Sequence, residues 1–284
     1  MHAIVAKNQL SPNVTRLDVE APRIAAIRQP GQFVIVRKGQ RAERIPLTIA
    51  DADPVRGTIA LVIQAVGKST RELVALEVGE AIRDISGPLG HPTEMLMSGR
   101  AVCVGGGVGT AVVHPLAQGL FRNGVEVISV IGGRSREWVI FEEELARLGR
   151  VVVCTDDGSY GRKGFVTDAA REILDAGGVD IVYAVGPVPM MRAVANLTRP
   201  YGVKTIVSLN PVMVDGTGMC GGCRVEVGGT TRFACVDGPE FDGHEVDFDL
   251  LADRLGTYRD FETAAEERAA HCCTDGSCRI GLTH

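Results

Sequence analysis

The sequence predicts a β plus α/β protein in three parts: an antiparallel β-barrel, an α/β domain with a parallel sheet, and a small cysteine-containing loop region. Short Val-, Ile- and Thr-rich runs broken by Gly and Pro occupy residues 1–97. Apolar runs alternate with helical patterns over residues 98–208, and glycine and cysteine crowd residues 209–250. Residues 251–284 are predicted to form a helical, cysteine-containing tail.

The totals of the sequence narrow the function classes. A chain of 284 residues is long enough for two domains and a small appendage. Its net charge of −5 and 5% aromatic content argue against a nucleic-acid binder. No apolar run reaches the length of a membrane helix, and the N-terminus lacks a signal-peptide pattern. We therefore expect a cytoplasmic protein with no membrane or nucleic-acid partner.

The barrel prediction depends on short β-patterned runs without a long helical pattern between them. These runs occupy residues 3–5, 14–19, 33–36 and 58–65. After residue 98 the pattern changes to apolar runs at 101–104, 125–131, 151–154, 181–185 and 204–209. Helices are predicted between them over 110–122 and 139–148. Alternating strands and helices indicate a parallel sheet.

The most specific motif is a cysteine loop near residue 220. Asp215, Cys220 and Cys223 have the C-x4-C-x2-C spacing of plant-type [2Fe–2S] loops, with Asp in place of the first Cys, and Cys235 follows twelve positions later. Glycines between them permit the backbone to turn several side chains inward. Clustered cysteines in a cytosolic chain favour metal binding or redox work over a disulfide framework. We predict these four residues as ligands of a [2Fe–2S] cluster.

Two alternatives remain open for this loop. C-x2-C is also common in zinc sites, although zinc favours all-cysteine or Cys/His sets, and three unrelated thiols would need no metal. The fourth ligand is also open, because Asp237, Asp242 or a water molecule would complete the site in place of Asp215. A zinc site would make the chain a zinc-binding interaction module.

Two segments of the barrel suggest a flavin site. An Arg before a strand can pair with a pyrophosphate, and a Thr hydroxyl can reach a flavin ring. A Gly followed by hydroxyl residues at a helix N-terminus favours an anion. Solvated side chains and an ordinary turn would explain both segments equally. The predicted flavin residues are Arg44, Pro46, Leu47, Thr48, Gly67, Lys68, Ser69 and Thr70.

Four segments after strands of the α/β domain suggest a nicotinamide dinucleotide site. The first is a glycine loop between a strand and a helix, which is where phosphate loops lie, although a tight turn would also explain it. It comprises Gly105, Gly106, Gly107, Gly109 and Thr110. Arg134 and Arg136 follow the next strand, where they would accept a 2′-phosphate of NADP or simply be exposed.

The other two segments would shape or contact the ligand at the carboxyl edge of the sheet. They are Asp156, Asp157 and Gly158, and then Gly186, Pro187 and Met190. Since hydride transfer needs no protein base for the hydride itself, no catalytic side chain is predicted.

These segments in this order resemble the ferredoxin–NADP reductase superfamily. The similar stretches are 44–48, 105–110, 155–168, 186–191 and 210–238, and the resemblance covers about residues 1–250. Within the superfamily the chain is similar to dihydroorotate dehydrogenase electron-transfer subunits. It is more similar to small subunits of NADH-dependent ferredoxin:NADP oxidoreductases, also known as sulfide dehydrogenase subunits. Asp215 in place of a fourth cysteine favours the second group.

The resemblance implies FAD in the barrel, NAD(H) or NADP(H) in the α/β domain and a [2Fe–2S] cluster in the loop. It implies a larger, glutamate-synthase-like flavoprotein partner, with ferredoxin reached indirectly and electron bifurcation as a property of that complex. One departure is that Arg44 precedes Thr48 by four residues where the superfamily has three, with Leu47 in the aromatic position. The tail residues His271, Cys272, Cys273 and Cys278 lie outside the resemblance, where they would bind metal, form a redox pair or be surface thiols.

Overall fold

The computed structural model of the chain describes residues 1–257 and 263–264. Its first part is a seven-stranded sheet with the order β6-β1-β2-β5-β4-β3-β7, in which every pair is antiparallel. Only Arg83 separates the two edge strands in the sequence, so the sheet curls until it is nearly closed. The strands are β1 (His2–Ser11), β2 (Val14–Glu20), β3 (Phe33–Arg37), β4 (Ile45–Asp53), β5 (Thr58–Gln64), β6 (Ala81–Ile82) and β7 (Asp84–Leu89).

Two burial patterns build this barrel. Strand β2 alternates, with Leu17 and Val19 fully buried and Arg16 and Asp18 partly exposed, whereas β5 is buried along almost its whole length. Two short helices, α1 (Pro22–Ile27) and α2 (Lys68–Val74), lie beside it and bury Ile24 and Leu73. The predicted antiparallel barrel is therefore confirmed.

The second part is a parallel sheet with the order β11-β10-β9-β8-β12-β13. Because the chain goes first to one side of β8 and then to the other, ligands are expected beyond the carboxyl end of β8. The strands are β8 (Arg100–Gly106), β9 (Glu126–Gly133), β10 (Arg150–Thr155), β11 (Arg162–Lys163), β12 (Ile181–Val185) and β13 (Lys204–Ser208). The helices are α3 (Thr110–Arg122), α4 (Glu142–Ala146), α5 (Val166–Asp175) and α6 (Val188–Thr198), with 3-10 turns at Gly107–Gly109, Arg136–Trp138 and Arg199–Tyr201.

Of the two helices predicted here, one is confirmed and one is too long. Helix α3 has the predicted bounds of 110–122, but the segment predicted as a helix over 139–148 contains only the short α4. The reason is Phe141, whose φ of 62° lies in the left-handed region that a right-handed helix cannot include. Helix α4 therefore begins after it.

The third part joins the second sheet. A hairpin of β14 (Arg224–Val227) and β15 (Thr230–Phe233) is followed by α7 (Ala234–Asp237), β16 (Glu240–Asp242) and α8 (Phe248–Gly256). Strand β16 pairs antiparallel to β13 and so forms the edge of the parallel sheet. The predicted domain boundaries after residues 97, 208 and 250 stay predictions. The tail residues His271, Cys272, Cys273 and Cys278 lie outside the described part of the chain.

Apolar side chains connect the three parts. Phe33 and Ile35 of the barrel belong to the same buried cluster as Cys223 and Cys235 of the third part. Ala50 of the barrel is buried with α3 on the other face of the sheet. Within the described residues, no helix is long and apolar enough to span a bilayer.

Candidate redox site

One cleft of about 1130 Å³ lies where the three parts meet. The barrel contributes Thr48, the ends of β8 and β12 contribute Gly106 and Gly186, and the segment after β13 contributes Asn210 and Met213. Pockets for a single small ligand usually enclose less than about 1,000 Å³. The cleft is therefore larger than the usual pocket for one small ligand.

The structure brings most of the predicted nucleotide residues to this cleft. Those that line it are Pro46, Leu47, Thr48, Thr70, Gly106, Gly107, Gly109, Arg134, Asp156, Gly186, Pro187 and Met190. The predicted residues that do not line it are Arg44, Gly67, Lys68, Ser69, Gly105, Thr110, Arg136, Asp157 and Gly158. The residues that line the cleft include the consecutive runs Pro46–Thr48 and Gly106–Gly107, whereas the run Gly67–Ser69 lies away from it.

Strand β4 supplies the barrel side of the cleft. Thr48 pairs with Phe33 and Leu47 with Val34 across the β3–β4 ladder. Phe33 lines the cleft although no local motif marked it. The sequence has Leu47 in the position where the superfamily has an aromatic residue. Phe33, on the neighbouring strand, supplies an aromatic side chain to the same side of the cleft. Arg44 is exposed just before β4.

The hydroxyl groups of the predicted anion site at the start of α2 already have hydrogen-bond partners within the chain. The Thr70 hydroxyl accepts from the backbone N–H groups of Val66 (3.1 Å) and Gly67 (3.0 Å), as expected of a capping side chain. The Ser69 hydroxyl donates to Glu43 Oε2 at 2.5 Å. A phosphate at Ser69 would have to displace that carboxylate, so the local geometry favours binding beside Thr70.

The glycine loop before α3 lies directly against the end of β12 and against α6. A Cβ on Gly109 would lie 2.3 Å from the carbonyl oxygen of Val185 at the end of β12, so this position excludes any side chain. A Cβ on Gly106 would lie 2.4 Å from Met190 Sδ, and Gly107 has a φ of +54°, which favours glycine. The backbone at the switch point of the sheet is therefore open to a ligand.

The two arginines after β9 have different surroundings. Arg134 lines the cleft. The guanidinium of Arg136 instead stacks over the ring of Tyr160 at 5.1 Å from its centroid. The Tyr160 hydroxyl in turn donates to Glu142 at 3.0 Å. Arg134 is therefore the better placed of the two for the adenosine end of a dinucleotide.

The loop after β10 is shaped by its own polar groups. Asp157 accepts from the backbone N–H of Ser159 at 2.9 Å, and hydrogen bonds from Ser159 hold the pKa of this carboxyl below its usual range. Gly158 has a φ of +76°, which suits the tight turn. Asp156 lines the cleft. Asp157 therefore shapes the loop, and a ligand contact by Asp156 stays a prediction.

Asp215 closes the first turn of the cysteine loop. Its Oδ1 accepts from the backbone N–H of Thr217 at 2.6 Å, and its Oδ2 accepts from the backbone N–H of Cys220 at 2.7 Å. The hydrogen bond from Thr217 is the main reason that the pKa of Asp215 lies below its usual range. The carboxylate is therefore ionised and held within the loop, as a metal ligand must be.

The three cysteines lie on the same loop and its neighbour α7. Cys223 and Cys235 are buried, and the Cys223 sulfur accepts from the backbone N–H of Cys235 at 3.4 Å. The Cys220 sulfur accepts from the N–H of Gly222 at 3.4 Å and is exposed. Burial, followed by contact with Cys223, raises the pKa of the Cys235 thiol to about 12. Metal binding would replace that proton.

One carboxylate and three thiols match in number the four ligands that a [2Fe–2S] cluster divides between two irons. Among residues 1–257 and 263–264, no three His, Cys, Asp or Glu side chains converge closely enough to hold one ion. Gly216, Gly218 and Gly221 have positive φ, so the backbone folds around the enclosed space.

The other two candidate carboxylates also accept from backbone N–H groups, but not from that of Cys220. Asp237 accepts from the backbone N–H of Phe233 at 2.6 Å, and Asp242 accepts from that of His244 at 2.9 Å. Asp242 also lies on β16 opposite Ile206. Asp215 is the carboxylate that bonds the loop carrying Cys220.

Several cleft residues have no motif in the sequence. They include Phe33, Trp138, Phe165, Ser208, Leu209, Asn210, Pro211, Met213 and Pro239. The single tryptophan of the chain, Trp138, is a signal available in the composition. Residues 208 and 209 end a predicted strand, and residues 210–213 begin the similar stretch 210–238.

A barrel and a parallel sheet that share one cleft, with a cysteine loop beside it, define a nucleotide-dependent redox protein with an iron–sulfur loop. The chain belongs to the family of dihydroorotate dehydrogenase B electron-transfer subunits and their homologues. The model of the "iron-sulfur cluster binding domain of dihydroorotate dehydrogenase B" matches residues 210–247.

Relatives and a solved structure match nearly the whole chain. A dihydroorotate dehydrogenase B (NAD(+)) electron transfer subunit homolog of Thermotoga maritima is 44% identical over 268 residues, covering 94% of this chain and 95% of the relative. The electron transfer subunit of Geobacillus thermodenitrificans is 34% identical, covering 86% and 96%. A chain of the NADH-dependent reduced ferredoxin-NADP oxidoreductase, solved to study flavin-based electron bifurcation, is 43% identical with a TM-score of 0.91, covering 95% and 98%.

The predicted family, fold class and electron-transfer role are confirmed by these matches. The predicted cofactors, FAD, a nicotinamide dinucleotide and a [2Fe–2S] cluster, agree with that family.

Proposed function

We propose that this chain takes electrons from a reduced nicotinamide at FAD and passes them singly through a [2Fe–2S] cluster to a larger flavoprotein subunit. One observation carries the proposal. The cleft is lined by residues of both predicted nucleotide sites and extends to Met213, two residues before Asp215 of the predicted cluster loop. The proposed donor, flavin and cluster sites would therefore adjoin within one chain.

The residues divide by the wall of the cleft that they form. Pro46, Leu47, Thr48 and Thr70 would hold FAD against the barrel, with Phe33 as an additional contact. The sheet edge would hold the nicotinamide dinucleotide through Gly106, Gly107, Gly109, Arg134, Asp156, Gly186, Pro187 and Met190. Asp215, Cys220, Cys223 and Cys235 would hold the cluster.

FAD, when bound, supplies the conversion of a two-electron hydride into the single electrons that a cluster accepts. The protein's part is to place the donors and to exclude water. Glycines at the end of β8 would let a nucleotide approach the backbone, and the buried apolar side chains around Cys223 and Cys235 would shield that side of the cluster from solvent. Backbone N–H groups that donate to the Cys220 and Cys223 sulfurs would tune the potential.

For the partner, we propose a glutamate-synthase-like flavoprotein in a ferredoxin:NADP oxidoreductase, with ferredoxin reached through that subunit. The 43% identity and 0.91 TM-score to a chain of such an enzyme support this choice, together with Asp215. The rim of the cluster loop carries exposed apolar side chains, Met219 at 89% and Val214 at 49% exposure, which suit a protein interface. Clustered thiols suit the reducing cytoplasm.

A second candidate function is supported by the curated relatives. Several of them are dihydroorotate dehydrogenase B electron-transfer subunits. Co-expression with each candidate large subunit separates the two. Ferredoxin-dependent reduction of NADP supports the first, and formation of orotate supports the second. The family matches favour either electron-transfer function over a zinc-binding module.

Anaerobic addition of NADH or NADPH to the purified chain tests the shared part of the proposal. Flavin absorbance near 450 nm should bleach with at least one of them. A chain that binds no flavin, or whose flavin neither nucleotide reduces, would contradict the proposed electron source.

A further inference from the structure

The geometry points to His114 as a positioning residue that ties the nicotinamide wall of the cleft to its flavin wall. His114 lies on α3, one turn after Thr110, and Thr110 directly follows the glycine loop. Its imidazole Nδ1 lies 3.3 Å from the carbonyl oxygen of Ala50 on β4. Ala50 lines the cleft two residues after Thr48. This inference rests on the proposed function of the two walls.

The partners of His114 fix one tautomer. The Ala50 carbonyl can only accept, so Nδ1 carries the proton and donates to it. The amide nitrogen of Gln118 can only donate, and it lies 3.2 Å from Nε2, which therefore accepts. Burial lowers the pKa of His114, against the opposing charge of Asp51. The neutral imidazole thus uses both ring nitrogens.

The ring is also held from the side. Its centroid lies 5.0 Å from that of Phe141, with the planes tilted by 32°. Phe141 is the described non-glycine residue with a positive φ, at 62°, and is buried. Such a backbone persists only where the surroundings require it. His114 is therefore enclosed by Ala50, Gln118 and Phe141, and only 4% of it is exposed.

A proline inside α3 weakens the hydrogen bonding of the helix near His114. Pro115 lies inside it and has no N–H, so the carbonyl of Ala111 loses its helical hydrogen bond. The first turn of α3, which lines the cleft through Ala111, is thus less firmly held to the rest of the helix. The bond from His114 to Ala50 attaches the part of α3 that precedes Pro115 directly to the barrel.

The consequence concerns the width of the cleft. Hydride transfer moves two electrons and one proton from the reduced nicotinamide to the flavin, and such transfers depend steeply on the separation of the reacting atoms. The opposite side of the loop is already fixed, because Gly109 packs against Val185. His114 fixes the side that faces the flavin strand.

Hydrogen–deuterium exchange of the purified chain, without added nicotinamide, tests the link independently of activity. His114→Phe keeps the ring and loses the donor, so backbone exchange over 45–53 and 105–122 should rise about threefold or more. His114→Asn places an amide nitrogen at the position of Nδ1 and should restore wild-type exchange. The matched control is His2→Phe, which removes a 2.8 Å contact from His2 Nδ1 to the Glu20 carbonyl at the barrel edge and should leave both segments unchanged.

The second measurement is the rate of flavin reduction in anaerobic stopped-flow experiments. At saturating NADH or NADPH, His114→Phe should slow bleaching about tenfold, with nucleotide affinity changed less than threefold. His114→Asn should recover most of the rate, and His2→Phe should match wild type. A His114→Phe protein that only melts at a lower temperature, with unchanged exchange and rate, would overturn the inference.

Two further comparisons keep the test decisive. If His114→Phe does not fold, His114→Asn is compared with His114→Gln, whose amide reaches the place of Nε2 and misses Ala50. Equal exchange and equal rates in these two variants would refute the link. If neither nucleotide reduces the wild-type flavin, the proposed function fails, and the exchange measurement still decides on His114.

Discussion

The carboxylate of Asp215 accepts a hydrogen bond of 2.7 Å from the backbone N–H of Cys220. One proposed cluster ligand therefore orients the backbone of the next. Such a carboxylate differs from a thiolate in charge distribution and softness, so it should give the cluster its own spectrum and potential.

Replacing Asp215 with cysteine tests its place among the ligands. The Asp215→Cys protein should keep its iron but change the g-values in electron paramagnetic resonance (EPR) of the reduced cluster. Asp242→Asn is the matched control, since Asp242 bonds the backbone of His244 instead. An Asp215→Cys spectrum identical to wild type would remove Asp215 from the ligand set.

The arginines after β9 should differ in their effect on nucleotide binding. Arg134→Ala should weaken binding of the preferred nucleotide about tenfold, because a charge-assisted contact to the adenosine end is lost. Arg136→Ala should change affinity less than about twofold, because Arg136 stacks on Tyr160 outside the cleft. Isothermal titration with NADH and NADPH measures both. A loss confined to NADPH would identify Arg134 as a 2′-phosphate contact, whereas equal effects of the two variants would contradict the assignment.

Gly109 should tolerate no side chain. Its added Cβ would lie 2.3 Å from the Val185 carbonyl, so Gly109→Ala should cost about 1–3 kcal/mol of unfolding free energy through overpacking. Gly39→Ala is the control, because nothing lies within 4 Å of its added Cβ. Urea unfolding compares the two. A Gly109→Ala protein as stable as Gly39→Ala would show that Gly109 does not lie so close to the carbonyl of Val185.

Glu240 should make stability depend on pH. It lies on β16 beside Gly31 and Thr93, and burial raises the pKa of its carboxyl from 4.5 to about 7. Between these values the folded chain keeps a proton that the unfolded chain releases, so unfolding free energy falls as pH rises, by about 3 kcal/mol in total. Unfolding in urea from pH 4.5 to 8 measures this fall.

Glu240→Gln should remove this part of the pH dependence, since the amide is neutral throughout. Glu143→Gln, at an exposed carboxylate of α4, should keep the wild-type slope. A wild-type slope in Glu240→Gln would show that another group is responsible.

How far the sequence predicts the site depends on whether the signal is local. Asp215, Cys220 and Cys223 lie within nine positions, so their spacing alone indicates the chemistry. Phe33 lies at the cleft because it pairs with Thr48 on the neighbouring strand. Arg136 lies outside the cleft because it stacks on Tyr160, a residue 24 positions further along the chain. Such contacts are set by tertiary packing, which local patterns do not contain.

The same distinction holds for the fold. The bounds of α3 follow from its own apolar pattern, and the strand-helix alternation gives the parallel sheet. Helix α4 is shorter than predicted because Phe141, the residue before it, has a left-handed backbone. The ring of Phe141 contacts that of His114 on α3, which is a tertiary contact. Strand β16 likewise joins the sheet by pairing with β13, and the local sequence of β16 does not predict this pairing.

The central claim is that one chain carries flavin, nicotinamide and iron–sulfur sites in electronic contact. EPR of the anaerobically purified chain, combined with iron, zinc and FAD analysis, tests it most directly. The account predicts one FAD and two irons per chain, and a reduced [2Fe–2S] signal that is lost in Cys223→Ser. A colourless, zinc-containing chain, or an iron signal unaffected by Cys223→Ser, would contradict it.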